Sequence, residues 1–157
     1  MPIFDDRLKA LGLTLPIPAA AVANYVPTAQ VGNLLIVSGQ LPFGADGKLA
    51  DAQKGKLREG VDVAVPAEAA KLCALNLIAQ AKAALGDLDR VARVVRLGGF
   101  FAVEGAFPGM ALAMNGASDL FAALFGDQGR HARTTVGVAY LPMNAMAEVE
   151  AIFEIRA

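Results

Sequence analysis

A single arginine in the last quarter of the chain, Arg133, has the residue type and setting of a carboxylate-binding group. It opens the β-branched run RTTVGVA and follows the chain's only histidine, His131, by two residues. A planar guanidinium can hold a carboxylate through two parallel hydrogen bonds, whereas a lysine offers one point charge. The competing interpretation is a surface arginine on the solvated face of a strand, and spacing alone favours it.

Alternation along the last two predicted strands groups Arg133 with other polar side chains. Arg133 and Thr135 point to one face of their strand, opposite to the two valines of TTVGV. In the final strand, Glu148 and Glu150 alternate with apolar residues. If the valines face the helices, the arginine, the threonine and both glutamates share the helix-free face of the sheet.

Other catalytic constellations are missing from the sequence. It contains no P-loop, no G-x-G-x-x-G after a strand and no H-E-x-x-H. One cysteine, Cys73, and one histidine cannot build a Cys/His metal site, so we expect no metal and interpret Cys73 as a small core residue. We expect His131 not to be half of a Ser-His or Cys-His pair, because its predicted loop position leaves no identifiable nucleophile nearby.

The composition indicates one globular domain spanning residues 1–157. Hydrophobic residues make up 55% of the chain and charged residues 18%, which excludes a disordered protein and leaves little polar surface for a monomer. A net charge of −1 gives no field to attract nucleic acid. The N-terminus lacks the features of a signal peptide, and prolines and amides interrupt the uncharged stretch that follows, so we expect a cytoplasmic protein without a membrane span.

Periodicity and turn signals predict the order β-β-α-β-α-β-β, after one or two helical turns over Asp5–Leu11. The first two strands form a hairpin around Gly32-Asn33. The remaining predicted elements are a helix over 66–85, a strand over Asp89–Phe101, a helix over Gly109–Phe125 and strands over Arg133–Tyr140 and Ala147–Ile155. This order predicts an α+β domain with both helices packed on one face of a mixed sheet.

Three segments together resemble a known family. NYVPTAQVGNLLIVSGQLP, ALGDLDRVARVVRLGGF and HARTTVGVAYLPMNAMAEVEAIFEI are similar, in this order, to segments of the YjgF/RidA family, from about Tyr25 to Glu154. Extra residues before Tyr25, an N-terminal extension over 1–24, and a longer segment over 50–66 are typical of a long-form subgroup. The resemblance implies a chorismate-mutase-like α+β fold, assembled as a homotrimer with three clefts between subunits.

The same resemblance implies an activity and a set of residues. Members hydrolyse enamines and imines such as 2-aminoacrylate to 2-keto acids and ammonia, without a cofactor. Arg133 matches the family's carboxylate-binding arginine, and Glu148 matches the acid thought to position or activate water. Three further positions match cleft residues: Tyr25, Gly39 and Asn115. Thr135 stands where active members commonly carry cysteine, and its hydroxyl can still orient water or substrate, so it is predicted to be catalytic together with Glu148.

Two other functions remain as alternatives. The same cleft could belong to a non-catalytic module that binds or senses a small carboxylate such as a 2-keto acid. Glu148 argues against it, because a pure carboxylate binder gains nothing from a second negative charge beside its ligand. Endoribonuclease or translation-inhibitor activity ranks third, because RNA cleavage needs a positive groove and an acid/base pair, which the net charge and the lone histidine disfavour.

Overall fold

A five-stranded sheet and three α-helices make up the computed structural model, which describes residues 3–156. No helix among these residues is long and apolar enough to cross a bilayer. The elements are α1 (Ile3–Ala10), β1 (Thr28–Val31), β2 (Leu34–Gln40), α2 (Ala64–Leu85), β3 (Val91–Ala102), α3 (Met110–Phe125), β4 (Ala132–Val138) and β5 (Ala147–Ile155).

The strand order in the sheet is β1-β2-β5-β3-β4. Neighbouring strands pair antiparallel except β3 and β4, which run parallel, so that α3 forms the crossover connection between them. Strand β4 therefore lies at one edge of the sheet. Its register sets Arg133 opposite Leu97, which in turn pairs with Ala151 of β5.

Helices α2 and α3 pack against each other and cover one face of the sheet. Helix α2 is rich in alanine and leucine and has Pro66 in its first turn. It ends at Leu85 and is capped by Gly86, whose positive φ of 78° suits a residue without a Cβ. The two helices approach closely because α3 carries Gly116, where a Cβ would overlap the carbonyl oxygen of Ala67. The core between helices and sheet contains wholly buried Phe121 and Phe153, and Cys73 is buried there too, as predicted.

The α+β arrangement, the order of the elements and the placement of both long helices on one face agree with the prediction. Element ends differ by a few residues, as at β4, which stops at Val138.

The predicted orientation of β4 is wrong. Arg133 pairs with fully buried Leu97, and a Cβ at Gly137 would meet Met110 of α3, so Arg133, Thr135 and Gly137 lie on the face that the helices cover. Val136 lies on the helix-free face and is 41% exposed. Val138 packs there against a second, smaller apolar cluster around Leu41, Leu49, Ala102, Leu141 and Ala145. Because apolar contacts exist on both sides of this edge strand, its valines do not have to face the helices.

Candidate functional site

Helix α3 holds the guanidinium of Arg133 in place. Nη1 donates to Oδ1 of Asn115 at 2.8 Å and to Oγ of Ser118 at 3.0 Å, and Nη2 donates to the carbonyl oxygen of Ala111 at 2.8 Å. A guanidinium has five N–H donors. The N–H of Nε and one N–H of Nη2 therefore have no acceptor among residues 3–156. Two donors on neighbouring nitrogens are what a carboxylate accepts in a bidentate pair.

A second hydrogen-bonded layer supports Arg133 through Ser118. Nδ1 of His131 lies 2.6 Å from the carbonyl oxygen of Gly129, and because a carbonyl only accepts, Nδ1 carries the proton. In the neutral ring Nε2 is then an acceptor, and the hydroxyl of Ser118, 2.9 Å away, donates to it. Burial lowers the pKa of His131 and the charge of Arg133 lowers it further, against the opposing effect of the Gly129 carbonyl. These shifts favour the neutral ring, which leaves an oxygen lone pair of Ser118 to accept from Arg133.

Ser118 is a residue that the sequence reasoning missed, and the prediction that His131 has no serine or cysteine partner is wrong. Ser118 precedes His131 by thirteen positions, and the two meet only because α3 lies over β4. One signal was available: Ser118 follows Asn115 by three residues, a spacing that places both on the same side of a helix.

Thr135 lies two residues beyond Arg133 and on the same face of β4. Its Oγ1 is buried and has no hydrogen-bond partner among the described residues. A buried hydroxyl without a partner is costly in a folded protein, so this atom is available to a ligand or a water molecule. Arg133, Asn115, Ser118 and Thr135 are called the arginine half-site below.

Glu148, Tyr25 and Gly39 meet elsewhere, around a cavity of about 360 Å³. Gly39 leaves space for the carboxyl group of Glu148, because a Cβ at this position would overlap Oε1 of Glu148 and displace that side chain. Burial raises the pKa of Glu148, and the neighbouring charge of Glu150 raises it further. A carboxylate with a raised pKa beside a cavity is suited to accept a proton from water. These three residues are called the glutamate half-site.

The two half-sites lie on opposite faces of the sheet. Glu148 pairs with Phe100, which pairs with Val136 on the helix-free face, whereas Arg133 pairs with Leu97 on the helix-covered face. One chain thus brings Arg133 together with Asn115 and Thr135, and Glu148 together with Tyr25 and Gly39. It does not bring Arg133 and Glu148 to one substrate.

Comparison with known proteins identifies the family. Residues 5–155 match the family model described as "YjgF/chorismate_mutase-like, putative endoribonuclease". The chain belongs to the YjgF/chorismate mutase-like family.

Solved structures of YjgF-family proteins and similar chains have the same fold. A protein of unknown function from Agrobacterium tumefaciens is 50% identical, with a TM-score of 0.88 over 98% of this chain and 93% of that one. A chain described as a putative endoribonuclease from Shewanella oneidensis is 38% identical, with a TM-score of 0.91 over 97% and 99% of the two chains. RidA from an Antarctic Psychrobacter is 28% identical, with a TM-score of 0.60 over 88% and 94%. The resemblance to the YjgF/RidA family and its chorismate-mutase-like fold is therefore confirmed.

Proposed function

We propose that this YjgF-family protein hydrolyses imines and enamines of small 2-oxo acids to the 2-oxo acid and ammonia, at a site shared by two copies of the chain. The observation that carries the proposal is the hydrogen bonding of the Arg133 guanidinium. This group is fixed by three hydrogen bonds that it donates to α3, and two donors on neighbouring nitrogens remain for a ligand carboxylate. A guanidinium fixed before binding loses little entropy when the carboxylate arrives.

The reaction needs one general acid/base, and Glu148 takes that role. An enamine first tautomerises to the imine, which reacts as the iminium ion. Ionised Glu148 accepts a proton from water while the water oxygen bonds to the C=N carbon and the C=N electron pair moves to nitrogen. The proton then passes from Glu148 to that nitrogen, the C–N bond breaks, and the C=O bond forms. As the C=O bond forms, the proton of the carbinolamine hydroxyl passes to the departing ammonia. The iminium ion and water thus give the 2-oxo acid and ammonium.

A second copy of the chain has to supply the missing half-site. Arg133 lies on the edge strand β4, where a neighbouring subunit can approach it. The helix-free face exposes apolar side chains, among them Ile36 and Val136 at 41% each, and burying them against other copies would stabilise an assembly. A closed ring of three copies, as the family resemblance implies, forms three equivalent clefts, each joining one arginine half-site to one glutamate half-site.

Mixing two inactive variants tests the shared site. Arg133→Ala and Glu148→Gln chains should each be nearly inactive alone, because every cleft lacks one half-site. Co-expressed in equal amounts, they should recover about a quarter of the wild-type activity, since a cleft is intact when one neighbour keeps Arg133 and the other keeps Glu148. The measurement is ammonia release from freshly generated 2-aminoacrylate by mixed assemblies whose composition native mass spectrometry confirms. Light scattering should give three times the chain mass of 16.2 kDa. Mixed assemblies without recovered activity would overturn the shared site.

Ser118→Ala tests the support of Arg133. The variant removes one of the three hydrogen bonds that hold the guanidinium and keeps its charge. A typical hydrogen bond contributes about 1 kcal/mol, so the affinity for 2-ketobutyrate should fall roughly fivefold in calorimetric titration. The matched control is Ser38→Ala, whose hydroxyl donates instead to the carbonyl of Val26. An unchanged affinity in Ser118→Ala would contradict the positioning role.

A further inference from the structure

The N-terminal extension forms one wall of the cavity at the glutamate half-site. Residues Ala19 to Val22 line it together with Tyr25, and across from them lie apolar residues that include Leu41, Phe43 and Met143. Of the ionisable side chains, only those of Tyr25 and Glu148 reach the cavity from the described residues. The lining is otherwise mainly small and apolar.

A buried amide fixes this wall to the core. Gln80 of α2 is 4% exposed, and its Nε2 donates to the carbonyl oxygen of Ala19 at 2.7 Å and to Oε1 of Gln40 at 3.3 Å. Gln40, itself 7% exposed, donates in turn to the carbonyl oxygens of Ser38 and Gly39. Buried amides are almost always hydrogen-bonded, so these contacts hold the extension in a defined position beside the strand that carries Gly39.

The size and chemistry of the cavity define what it can accept. A volume of about 360 Å³ is in the range of a small-molecule binding site, and it far exceeds the single side-chain carbon of 2-aminoacrylate. Apolar walls favour an apolar group, because each carbon removed from water improves binding by about fourfold.

From this wall and its buried anchor we infer the substrate class: imines and enamines of 2-oxo acids with a branched or aromatic apolar side chain. The inference rests on the proposed function. The substrate carboxylate binds Arg133 of one copy, its C=N carbon lies near Glu148 of the next, and its side chain extends from that carbon into the cavity. Residues Ala19–Val22 then determine specificity and do not take part in the reaction.

Relative rates on different imines test the inference. Amino-acid oxidases can release the imines of leucine and phenylalanine in the assay, and a dehydratase can release 2-aminoacrylate. For wild-type protein, kcat/KM on the larger imines should exceed that on 2-aminoacrylate by at least about tenfold, since several extra carbons are buried. Equal values, or a preference for 2-aminoacrylate, would overturn the inference.

A substitution that fills the cavity is a second test of the inferred substrate class. Ala21→Phe occupies the space next to the wall, so it should lower kcat/KM on the larger imines by about tenfold and leave 2-aminoacrylate within about twofold. Ala23→Phe is the matched control, because Ala23 belongs to the same segment but is exposed and outside the cavity. An equal loss on all substrates in Ala21→Phe would contradict a role in specificity.

Binding measurements separate this inference from the proposed function. If no imine is hydrolysed, the proposed hydrolase activity is wrong. Calorimetry with 4-methyl-2-oxopentanoate and pyruvate then decides whether the pocket selects apolar side chains. Binding of the larger acid at least about tenfold more tightly, lost in Ala21→Phe, supports the pocket without the reaction. Equal affinities for both acids overturn the inference as well.

Discussion

Arg133→Lys should weaken the binding of a small 2-oxo acid by roughly ten- to hundredfold, because a charged hydrogen bond contributes about 1.5–3 kcal/mol. An ammonium group is a point charge, so it cannot contact the three acceptors on α3 and still give a carboxylate two parallel hydrogen bonds. Arg133→Ala should cost at least as much. The measurement is calorimetric titration of each variant with 2-ketobutyrate.

The neighbouring Arg130 provides a matched control. Its side chain is exposed and pairs with Asp127 at 3.5 Å on the surface, so Arg130→Lys should leave the affinity unchanged. Circular dichroism and light scattering on the Arg133 variants would show that fold and assembly persist. Equal affinity in wild type, Arg133→Lys and Arg133→Ala would make Arg133 an ordinary surface residue, and the carboxylate site would be wrong.

Glu148→Gln should lower turnover by about a hundredfold or more while 2-oxo acid affinity stays the same or improves. The amide keeps the shape of the side chain but cannot accept the proton of water, and it removes a negative charge next to the ligand carboxylate. Steady-state ammonia release and calorimetry on the same preparation measure both effects. Unchanged deamination would remove Glu148 from the mechanism, and an absence of deamination in the wild type would favour the non-catalytic binding module.

The pH dependence follows from the same carboxylate. Glu148 acts in its ionised form, so activity should fall as the pH drops through its pKa, which burial and Glu150 raise above the usual 4.5. Glu150→Gln tests this directly, because it removes the second cause of the raised Glu148 pKa. The acid limb of the pH–rate profile should move to lower pH, and the maximal rate should not fall. Glu150 also forms an ion pair with Arg96 at 3.0 Å on the helix-free face. Thermal unfolding of Glu150→Gln shows whether the loss of this ion pair changes the stability of the fold.

The sequence predicted the elements better than their orientation. Strong periodicity and clear end signals, such as Pro66 and Gly86 around α2, located both long helices and the central strands. Alternation divided β4 into two sets of side chains but could not say which set faces the helices. That choice depends on the parallel register with β3, which places Arg133 opposite Leu97, and on a second apolar cluster that receives Val138.

The candidate site residues were predicted from their match to family motifs, whereas their supporting contacts were not predicted. Asn115 and Arg133 were both predicted cleft residues, but the link through Ser118 to His131 depends on the crossing of α3 over β4. The position of the N-terminal extension could not be predicted either. Gln80 holds it through the backbone carbonyl of Ala19, and the pattern of side chains gives no information about backbone acceptors.

The location of Arg133 and Glu148 on opposite faces of one sheet has a consequence for how the protein matures. Under the proposed function, a newly synthesised chain can fold completely and hold both half-sites, yet it is inert because neither half reaches the other's substrate. Hydrolysis begins only when such chains assemble, so the onset of activity depends on the cellular concentration of the chain. Folding and activation are then two successive events in the life of this protein, separated by subunit encounter.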